Sequence, residues 1–354
     1  MTTPHLGLSR DAIAAIVIPI AAIAAAFAVI RAVARRDRRD ARDRARSLMR
    51  AFADYLESRL SGRELRRAVQ SGDDATFWTT LETLAFRLKR SEWRRLVHEL
   101  ERNRHEAAER LALRDDSPWR RELAARRLGL LPSRAARRAL RRALEDGPGI
   151  VSFAGAMGLA RAHDARALRW ILGNPGAFAT RSPQARTALL RAFGRGALPA
   201  LEKALEGDRL DRRLERAIIE TLGLARRTAA ASAIARRLLS SDPEIRLTAA
   251  RALGRLRTPE CAAALLSALT DEAWQVRAQA ARALGRLRLP VAIPQLSACL
   301  TDRSWWVRRH AAYALSGIGD EGCAALRGAA EGSPDPYARD IALEALENGR
   351  RKQA

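Results

Sequence analysis

Apolar residues recur at helical spacing over most of the C-terminal two-thirds of the chain. Ile245, Ala249 and Leu253, for example, follow one another at intervals of four residues and share one face of a helix. Asp242-Pro243 precedes them and is typical of an N-cap followed by proline in the first helical turn. We expect Gly254 to end this helix, because glycine adopts the left-handed C-terminal cap without steric cost.

A second helix is predicted directly after the first. It begins at Thr258-Pro259 and carries Leu265, Leu266 and Leu269 on its apolar face. Neither helix can bury its apolar face alone, and one pair of helices has little core of its own. Stacking of neighbouring pairs would bury a continuous apolar seam, so the pattern favours an all-α solenoid.

An internal repeat of 31 residues supports this interpretation. The nonapeptide AARALGRLR occupies Ala249–Arg257 and recurs identically at Ala280–Arg288. Earlier units are marked by a hydrophobic residue followed by glycine, at Leu222-Gly223, Phe193-Gly194, Met157-Gly158 and Leu128-Gly129. We therefore expect about seven helix pairs within residues 116–350.

The repeat pattern D-x-x-x-[VI]-R-x-x-A-A-x-A-L-G resembles bacterial HEAT repeats, including the HEAT-like repeats of phycobilisome lyases. The resemblance is strong over residues 240–340 and weak before them. It implies an α-solenoid that serves as a scaffold for protein partners, although the family also has nucleic-acid-binding members and lyases. The resemblance therefore specifies the fold much more closely than the function.

The N-terminal part has a different pattern. Residues 12–30 carry no charge over 19 positions, about the length needed to cross a hydrocarbon core of roughly 30 Å. This stretch predicts a transmembrane helix over 12–31 after a short tail over 1–11; a cleaved signal peptide and a buried soluble helix are the alternatives. A basic juxtamembrane helix over 32–60 and a helical connector over 61–115 are predicted to follow.

Arginines directly after the uncharged stretch indicate an orientation. By the positive-inside rule, they hold the long C-terminal part in the cytoplasm and leave the N-terminus outside. The sequence thus predicts a single-pass protein of the inner (cytoplasmic) membrane. The arginines assigned to this topology signal are Arg31, Arg35, Arg36, Arg38 and Arg39.

The chain is strongly basic, with a net charge of +24, and only three of its 64 basic residues are lysines. A GC-rich genome produces such an excess of arginine and alanine in any protein, so the charge alone does not indicate nucleic-acid binding. Hydrophobic residues make up 47% of the chain but aromatic residues only 5%, which favours closely packed helices rich in alanine and leucine. Three cysteines exclude a disulfide framework.

Two sets of charged residues follow the repeat. The first set consists of Arg246, Arg277, Arg308, Arg339, Asp242, Asp271, Asp302 and Asp335. The HEAT resemblance implies that it forms a ladder of Arg–Asp hydrogen bonds between repeats, and a column that tracks phosphates is the alternative. The second set consists of Arg251, Arg255, Arg257, Arg282, Arg286 and Arg288. It has no obvious acidic counterpart and is either a solvated face or a positive surface suited to an acidic protein, lipid headgroups or nucleic acid.

Trp274 and Trp305 are one repeat apart, and Trp306 lies beside the second. They fall in the first turn of a predicted helix, where they either cover an edge between repeats or form a hot spot for a partner, because tryptophan near arginine is enriched in hot spots. Base stacking is a third interpretation. We take the three tryptophans together with four arginines of the second set as the candidate partner-binding surface, namely Arg251, Arg255, Arg282 and Arg286.

No catalytic or cofactor-binding constellation is recognisable in the sequence. Gly317–Gly322 matches G-x-G-x-x-G, but it follows a predicted helix rather than a strand, so we expect a turn between two helices. His98 and His105 have no obvious third ligand and are expected on a solvated helix face. We therefore expect no enzyme activity, no metal and no cofactor.

The sequence as a whole predicts a membrane-anchored cytoplasmic scaffold or adaptor, attached through residues 12–31. Its expected partner is a protein, such as a membrane or envelope enzyme, bound by the HEAT-repeat surface. Two alternatives stay open: a nucleic-acid-binding HEAT-like protein that uses the arginine and tryptophan surface, and a lyase-like HEAT protein.

Overall fold

The computed structural model describes residues 39–101, 103–147, 149–207 and 210–353, together with Arg31 and Arg36. These residues form helices, 3₁₀ turns and loops, and no β-strand occurs among them. The predicted all-α class is therefore confirmed for this part of the chain. Contacts divide the chain into two units, Met1–Ala136 and Arg137–Ala354, whereas the sequence pattern placed the start of the repeats at residue 116.

The described part of the first unit is made of short helices joined by tight turns. Helix α1 is described from residue 39 to residue 56. The following helices are α2 (Gly62–Ser71), α3 (Asp74–Ala85), α4 (Arg90–Glu99), α5 (Arg104–Ala112) and α6 (Pro118–Leu128), and α7 (Arg134–Ala143) crosses the division between the units. Local sequence sets some of these boundaries: Ser61 and Glu64 form a reciprocal capping box at the start of α2.

Aromatic side chains form the centre of the first unit. Phe52, Phe77 and Trp78 are almost completely buried there, and the Phe77 and Trp78 rings meet edge-on with their centroids 4.9 Å apart. Leucines surround them, namely Leu65, Leu81, Leu84, Leu96, Leu100 and Leu131. This core differs from the alanine-rich packing of the repeats that follow.

His105 on α5 is completely buried in this unit, so the expectation of a solvated helix face is wrong. Its ring stacks on Phe77 with the centroids 4.3 Å apart. Its Nε2 lies 3.0 Å from the Val69 carbonyl oxygen, and its Nδ1 faces the carboxylate of Asp74. The sequence does not show this burial, because its hydrogen-bonding neighbours lie on other helices, Val69 36 positions and Asp74 31 positions before it.

The second unit is a series of helix pairs, as the repeat predicts. Its first helices are α8 (Gly149–Arg161), α10 (Pro183–Ala192), α12 (Arg212–Leu224), α14 (Pro243–Leu256), α16 (Trp274–Leu287) and α18 (Trp305–Ile318). Its second helices are α9 (Ala165–Gly173), α11 (Leu198–Glu206), α13 (Ala231–Arg236), α15 (Ala262–Ser267), α17 (Ile293–Ala298) and α19 (Asp320–Gly332), and α20 (Pro336–Gln353) follows them. 3₁₀ turns extend α13, α15 and α17 at both ends.

Consecutive first helices approach each other through glycine and alanine. The contacts of this kind are Gly223–Ala252, Gly254–Ala283 and Gly285–Ala314. A Cβ atom added to Gly254 would lie only 2.9 Å from the Cβ and 3.0 Å from the Cα of Ala283. Because interiors are packed without free space, the repeat needs its smallest residues where two helix backbones touch.

Gly254 does not end its helix, contrary to the expectation from the sequence. Helix α14 continues to Leu256, and Arg257 is the C-cap in the left-handed conformation, with a φ of 55°. Arg288 caps α16 in the same way, with a φ of 54°. Gly254 is required instead by the close approach of Ala283, which the local sequence cannot distinguish from a C-terminal cap.

The predicted transmembrane helix over 12–31 lies outside the described residues except for Arg31. No helix in the part of the chain that the structure describes is long and apolar enough to cross a membrane. The 18 residues of α20, for example, include arginine, aspartate and glutamate. The predicted location in the inner membrane is wrong on this finding. Of the topology arginines, Arg36 and Arg39 are, like Arg31, helical and exposed, and Arg35 and Arg38 lie outside the described residues.

The glycine contact makes a substitution to alanine unfavourable in spite of helix propensity. We expect Gly254→Ala to lower the free energy of unfolding by about 1–3 kcal/mol, because the new methyl group meets the backbone of Ala283. Gly328, inside α19, is the matched control: a Cβ there meets no atom within 4 Å. Gly328→Ala should stabilise the chain by about 1 kcal/mol through propensity alone. Urea unfolding measures both, and equal effects would contradict the close contact.

Candidate partner-binding surface

Arginines and aspartates connect consecutive repeats at the N-terminal ends of the first helices. Arg246 on α14 donates two hydrogen bonds to Asp271, from Nε to Oδ2 at 2.7 Å and from Nη2 to Oδ1 at 2.9 Å. Arg277 on α16 binds Asp302 with the same geometry, at 2.7 and 2.8 Å. Each arginine thus pairs with the aspartate that precedes the next first helix, and such bidentate pairs fix the orientation of both groups.

Because the two pairs are buried, the stability of the fold depends more strongly on them. Arg277 is only 6% exposed, and its Nη1 also donates to the Asp271 carbonyl at 2.8 Å. Burial by itself would raise the pKa of Asp271 and of Asp302, but hydrogen bonds from the paired arginine and from a helix N-terminal amide outweigh it and lower both pKa values below 3.8. The hydrogen bonds that Arg246 and Arg277 donate to these aspartates raise the pKa values of both arginines.

The remaining members of this set have other partners. Arg308 donates to the Asp302 carbonyl at 2.9 Å and lies over the ring of Tyr337, with its Cζ 5.1 Å from the ring centroid. Arg339 donates to the Ser333 carbonyl at 2.7 Å. Asp242 and Asp335 accept from backbone amides at the starts of α14 and α20. Among the described residues, bidentate pairs between repeats thus occur only from α14 to α16 and from α16 to α18.

Four arginines occupy equivalent positions of two repeats on α14 and α16, where one of them is exposed and three are half-buried. They are Arg251, Arg255, Arg282 and Arg286, and we call them the arginine cluster. Arg255 has an acidic partner that the sequence did not suggest: its Nη1 donates to Glu220 of α12 at 2.8 Å. The other three form no ion pair with any described residue.

The arginines of this cluster act on one another electrostatically. Burial lowers the pKa of Arg286, and the charges of Arg282, Arg255 and Arg257 lower it further. His310 on α18 is affected in the same way: burial lowers its pKa, followed by the charges of Arg282 and Arg309. The positive field therefore extends from α14 to α18, and an anion would relieve the repulsion within it.

The three tryptophans lie in the first turns of α16 and α18. Trp274 is 40% exposed, Trp305 44% and Trp306 50%. The rings of Trp305 and Trp306 meet edge-on with their centroids 4.8 Å apart, and the guanidinium of Arg309 lies 5.1 Å above the Trp305 ring. Trp306 also lies 6.4 Å from the ring of His310, which places it next to the positive field.

A groove of about 350 Å³ extends the same side of the unit across α10, α12 and α14. Its polar lining includes Arg191, Arg216, Glu220, Thr248 and Arg251. One carboxylate oxygen of Glu220, Oε2, is buried there without a hydrogen-bond partner. The arginine cluster and this groove share Arg251, so the exposed side of the first helices is continuous from one to the other.

Sequence reasoning missed the acidic members of this surface. Glu220 is 31 residues before Arg251, and Glu344 is 31 residues after Tyr313. The repeat period could therefore have placed both glutamates in the column that contains Arg251 and Arg282. It could not have shown that Glu220 pairs with Arg255 or that Glu344 accepts from Tyr313 Oη at 2.8 Å, because both contacts cross between helices.

The G-x-G-x-x-G motif at Gly317–Gly322 has a structural role. Gly319, with a φ of 111°, lies in the turn between α18 and α19, so a helix and not a strand precedes it.

The described residues contain no group of three or more His, Cys, Asp or Glu that could hold a metal ion. Burial raises the pKa of the Cys299 thiol to about 11, so this cysteine is protonated at neutral pH.

A sequence family described as HEAT repeats matches residues 198–275 and 262–347. The helix pairs of this region therefore match HEAT repeats, as the sequence resemblance implied, and the matched region includes the arginine cluster and the tryptophans. Among curated proteins, none matches the chain.

Several solved structures have a similar helical arrangement. One is an engineered protein, with 22% identity, a TM-score of 0.35 and coverage of 61% of this chain and 96% of that one. Human deoxyhypusine hydroxylase in complex with glycerol has 22% identity, a TM-score of 0.30 and coverage of 70% and 96%. Kap121p bound to RanGTP has 12% identity, a TM-score of 0.49 and coverage of 87% and 41%. All three TM-scores are below 0.5, so these likenesses carry no functional conclusion.

The lowered pKa values of Asp271 and Asp302 predict sensitivity to acid. Their stabilising contribution is complete above about pH 4, near the unfolded-state pKa, and is lost as the pH falls through the lower folded-state pKa. We expect Asp271→Asn with Asp302→Asn to cost about 1–3 kcal/mol per site at pH 7 and to flatten the loss of stability on acidification. Urea unfolding at several pH values, followed by circular dichroism, measures both effects.

Asp335→Asn is the control for this experiment. Asp335 caps α20 in the same way but has no arginine partner among the described residues. Its replacement should leave the acid-dependent loss of stability close to that of the wild type. An equally large flattening by Asp335→Asn would show that helix capping, rather than the arginine pairs, produces the pH dependence.

Proposed function

We propose that this chain is a non-enzymatic scaffold that binds a protein partner through the exposed side of α14, α16 and α18. The observation that supports it is the presence of the arginine cluster and of half-exposed tryptophan rings on the same three stacked helices. Arginine and tryptophan are the residues most enriched in the energetic centres of protein interfaces. HEAT repeats over residues 198–347 agree with such a role, because an extended stack of helices offers a broad surface for a partner.

The packing beneath this surface suits it to binding. Gly254–Ala283 and Gly285–Ala314 hold the helix backbones at their closest approach, and the pairs from Arg246 and Arg277 fix the helix starts. The side chains that would meet a partner thus extend from a rigid base. A rigid surface loses little conformational entropy when it binds, so more of the contact energy appears as affinity.

Nucleic acid is the second candidate, and the observation that favours it is the unpaired positive charge of the arginine cluster. A polyanion would have to continue past this cluster along the column of first helices, where it meets the carboxylates of Glu220 and Glu344. These negative charges oppose phosphate contacts on both sides.

A lyase-like activity would require a bound chromophore, and absorbance spectroscopy after incubation with a tetrapyrrole tests it directly.

Site-specific photocrosslinking in cells that naturally express the chain tests the scaffold proposal. A benzophenone amino acid in place of Trp306 should form a covalent adduct with a defined protein, detected by mass spectrometry. The same amino acid in place of Val291, which is 61% exposed at the start of a second helix, is the control and should give no such adduct. The adduct should weaken when Arg282→Glu is added. Equal adducts from both positions, or adducts with nucleic acid alone, would contradict the proposal.

A further inference from the structure

The arginine cluster has the charge balance of an incomplete ion-pair network. It brings together four guanidinium groups, of which only that of Arg255 has a carboxylate partner among the described residues. Arg251 and Arg282 occupy the same position in consecutive repeats, and Arg282 is exposed to solvent. Two negatively charged groups at the spacing of one repeat would complete this network.

Carboxylates flank the arginine cluster on both sides. On one side is Glu220 of α12, which accepts from Arg255 at 2.8 Å, and beyond it Arg191 and Arg216 line the adjoining groove. On the other side is Glu344 of α20, which accepts from Arg309 at 3.0 Å and from the Tyr313 hydroxyl at 2.8 Å. An anionic ligand that fits must carry few charges over a short length, and an acidic protein segment meets this condition better than a polynucleotide does.

The distance between repeats restricts the conformation of such a segment. Packed helices have their axes about 8–10 Å apart, and the glycine contact between α14 and α16 places this pair at close approach. A polyproline II chain rises about 3.1 Å per residue and has three residues per turn, so residues i and i+3 lie on one face about 9 Å apart. A β-strand places same-face residues about 7 or 13 Å apart, and neither value lies within the general range of about 8–10 Å for the axes of packed helices.

We infer that the arginine cluster binds an acidic segment of the partner protein in an extended polyproline II conformation, with carboxylates at every third residue. One carboxylate pairs with Arg251 on α14 and the next with Arg282 on α16, while Arg286 strengthens the field between the helices. On α18 the half-exposed ring of Trp306 lies 6.4 Å from the ring of His310, and an apolar residue of the segment packs against it. This inference rests on the proposed scaffold function and specifies the chemistry of its partner.

Two fluorescent peptides of identical composition test the spacing. One contains Glu-Pro-Pro-Glu-Pro-Pro-Glu, in which proline favours polyproline II and every glutamate is on one face; the other contains Pro-Pro-Glu-Glu-Glu-Pro-Pro. Fluorescence anisotropy titrations with the full chain should show that the spaced peptide binds about five- to tenfold more tightly. Equal affinity of the two peptides, or no binding of the spaced one, would overturn the inference.

Charge-matched variants test the position. Arg251→Glu with Arg282→Glu should weaken binding of the spaced peptide by about tenfold or more, because each replacement removes a partner and adds repulsion. Arg236→Glu with Arg327→Glu changes the net charge equally at exposed positions of the second helices α13 and α19. This control should change the affinity by less than about twofold. Equal losses in both variants would assign the binding to overall charge and overturn the inference.

The remaining outcomes separate this inference from the scaffold function. A single-stranded oligothymidine provides another outcome. If it binds more tightly than the spaced peptide, and if its binding depends on Arg251 and Arg282, the ligand of the cluster is nucleic acid and not an acidic segment. A protein adduct at Trp306 together with failure of both peptides would leave the scaffold standing and refute the acidic segment. If the spaced peptide binds selectively, and Arg251→Glu with Arg282→Glu abolishes this binding, the result supports the acidic segment, whatever the identity of the adduct.

Discussion

The contact between glycine on one first helix and alanine on the next is the constraint on which the rest of the second unit depends. It holds the backbones of α12, α14, α16 and α18 at one fixed separation, because no larger side chain fits at Gly223, Gly254 or Gly285. This separation sets the distance between equivalent side chains of neighbouring repeats. The spacing of the arginines on the exposed side is therefore a consequence of packing on the buried side.

The Arg–Asp pairs add direction to this packing. Apolar contact between helices is non-directional, whereas the bidentate pair from Arg277 to Asp302 holds the start of one first helix against the next. Because Arg277 and its partner are mostly buried, the loss of either one would leave an uncompensated charge. Together, the two kinds of contact keep successive repeats in one register.

Net charge is a poor guide to where this protein would bind. The chain carries +24, yet many of its arginines have carboxylate or carbonyl partners within the fold, as Arg237 and Arg246 do. The arginine cluster differs because most of its members lack such partners and crowd one another. What distinguishes it is the local arrangement, in which a glutamate lies on each side of arginines that mostly have no ion-pair partner among the described residues.

The sequence by itself determined the helix pairs, because the 31-residue period, the Asp-Pro starts and the apolar spacing are local properties of the chain. It also placed the equivalent arginines and tryptophans in register. Only the tertiary structure decided that Gly254 serves a helix contact rather than a helix end, that His105 is buried, and that Glu220 pairs with Arg255. Each of these depends on which distant helix lies opposite, and periodicity along one helix contains no information about that neighbour.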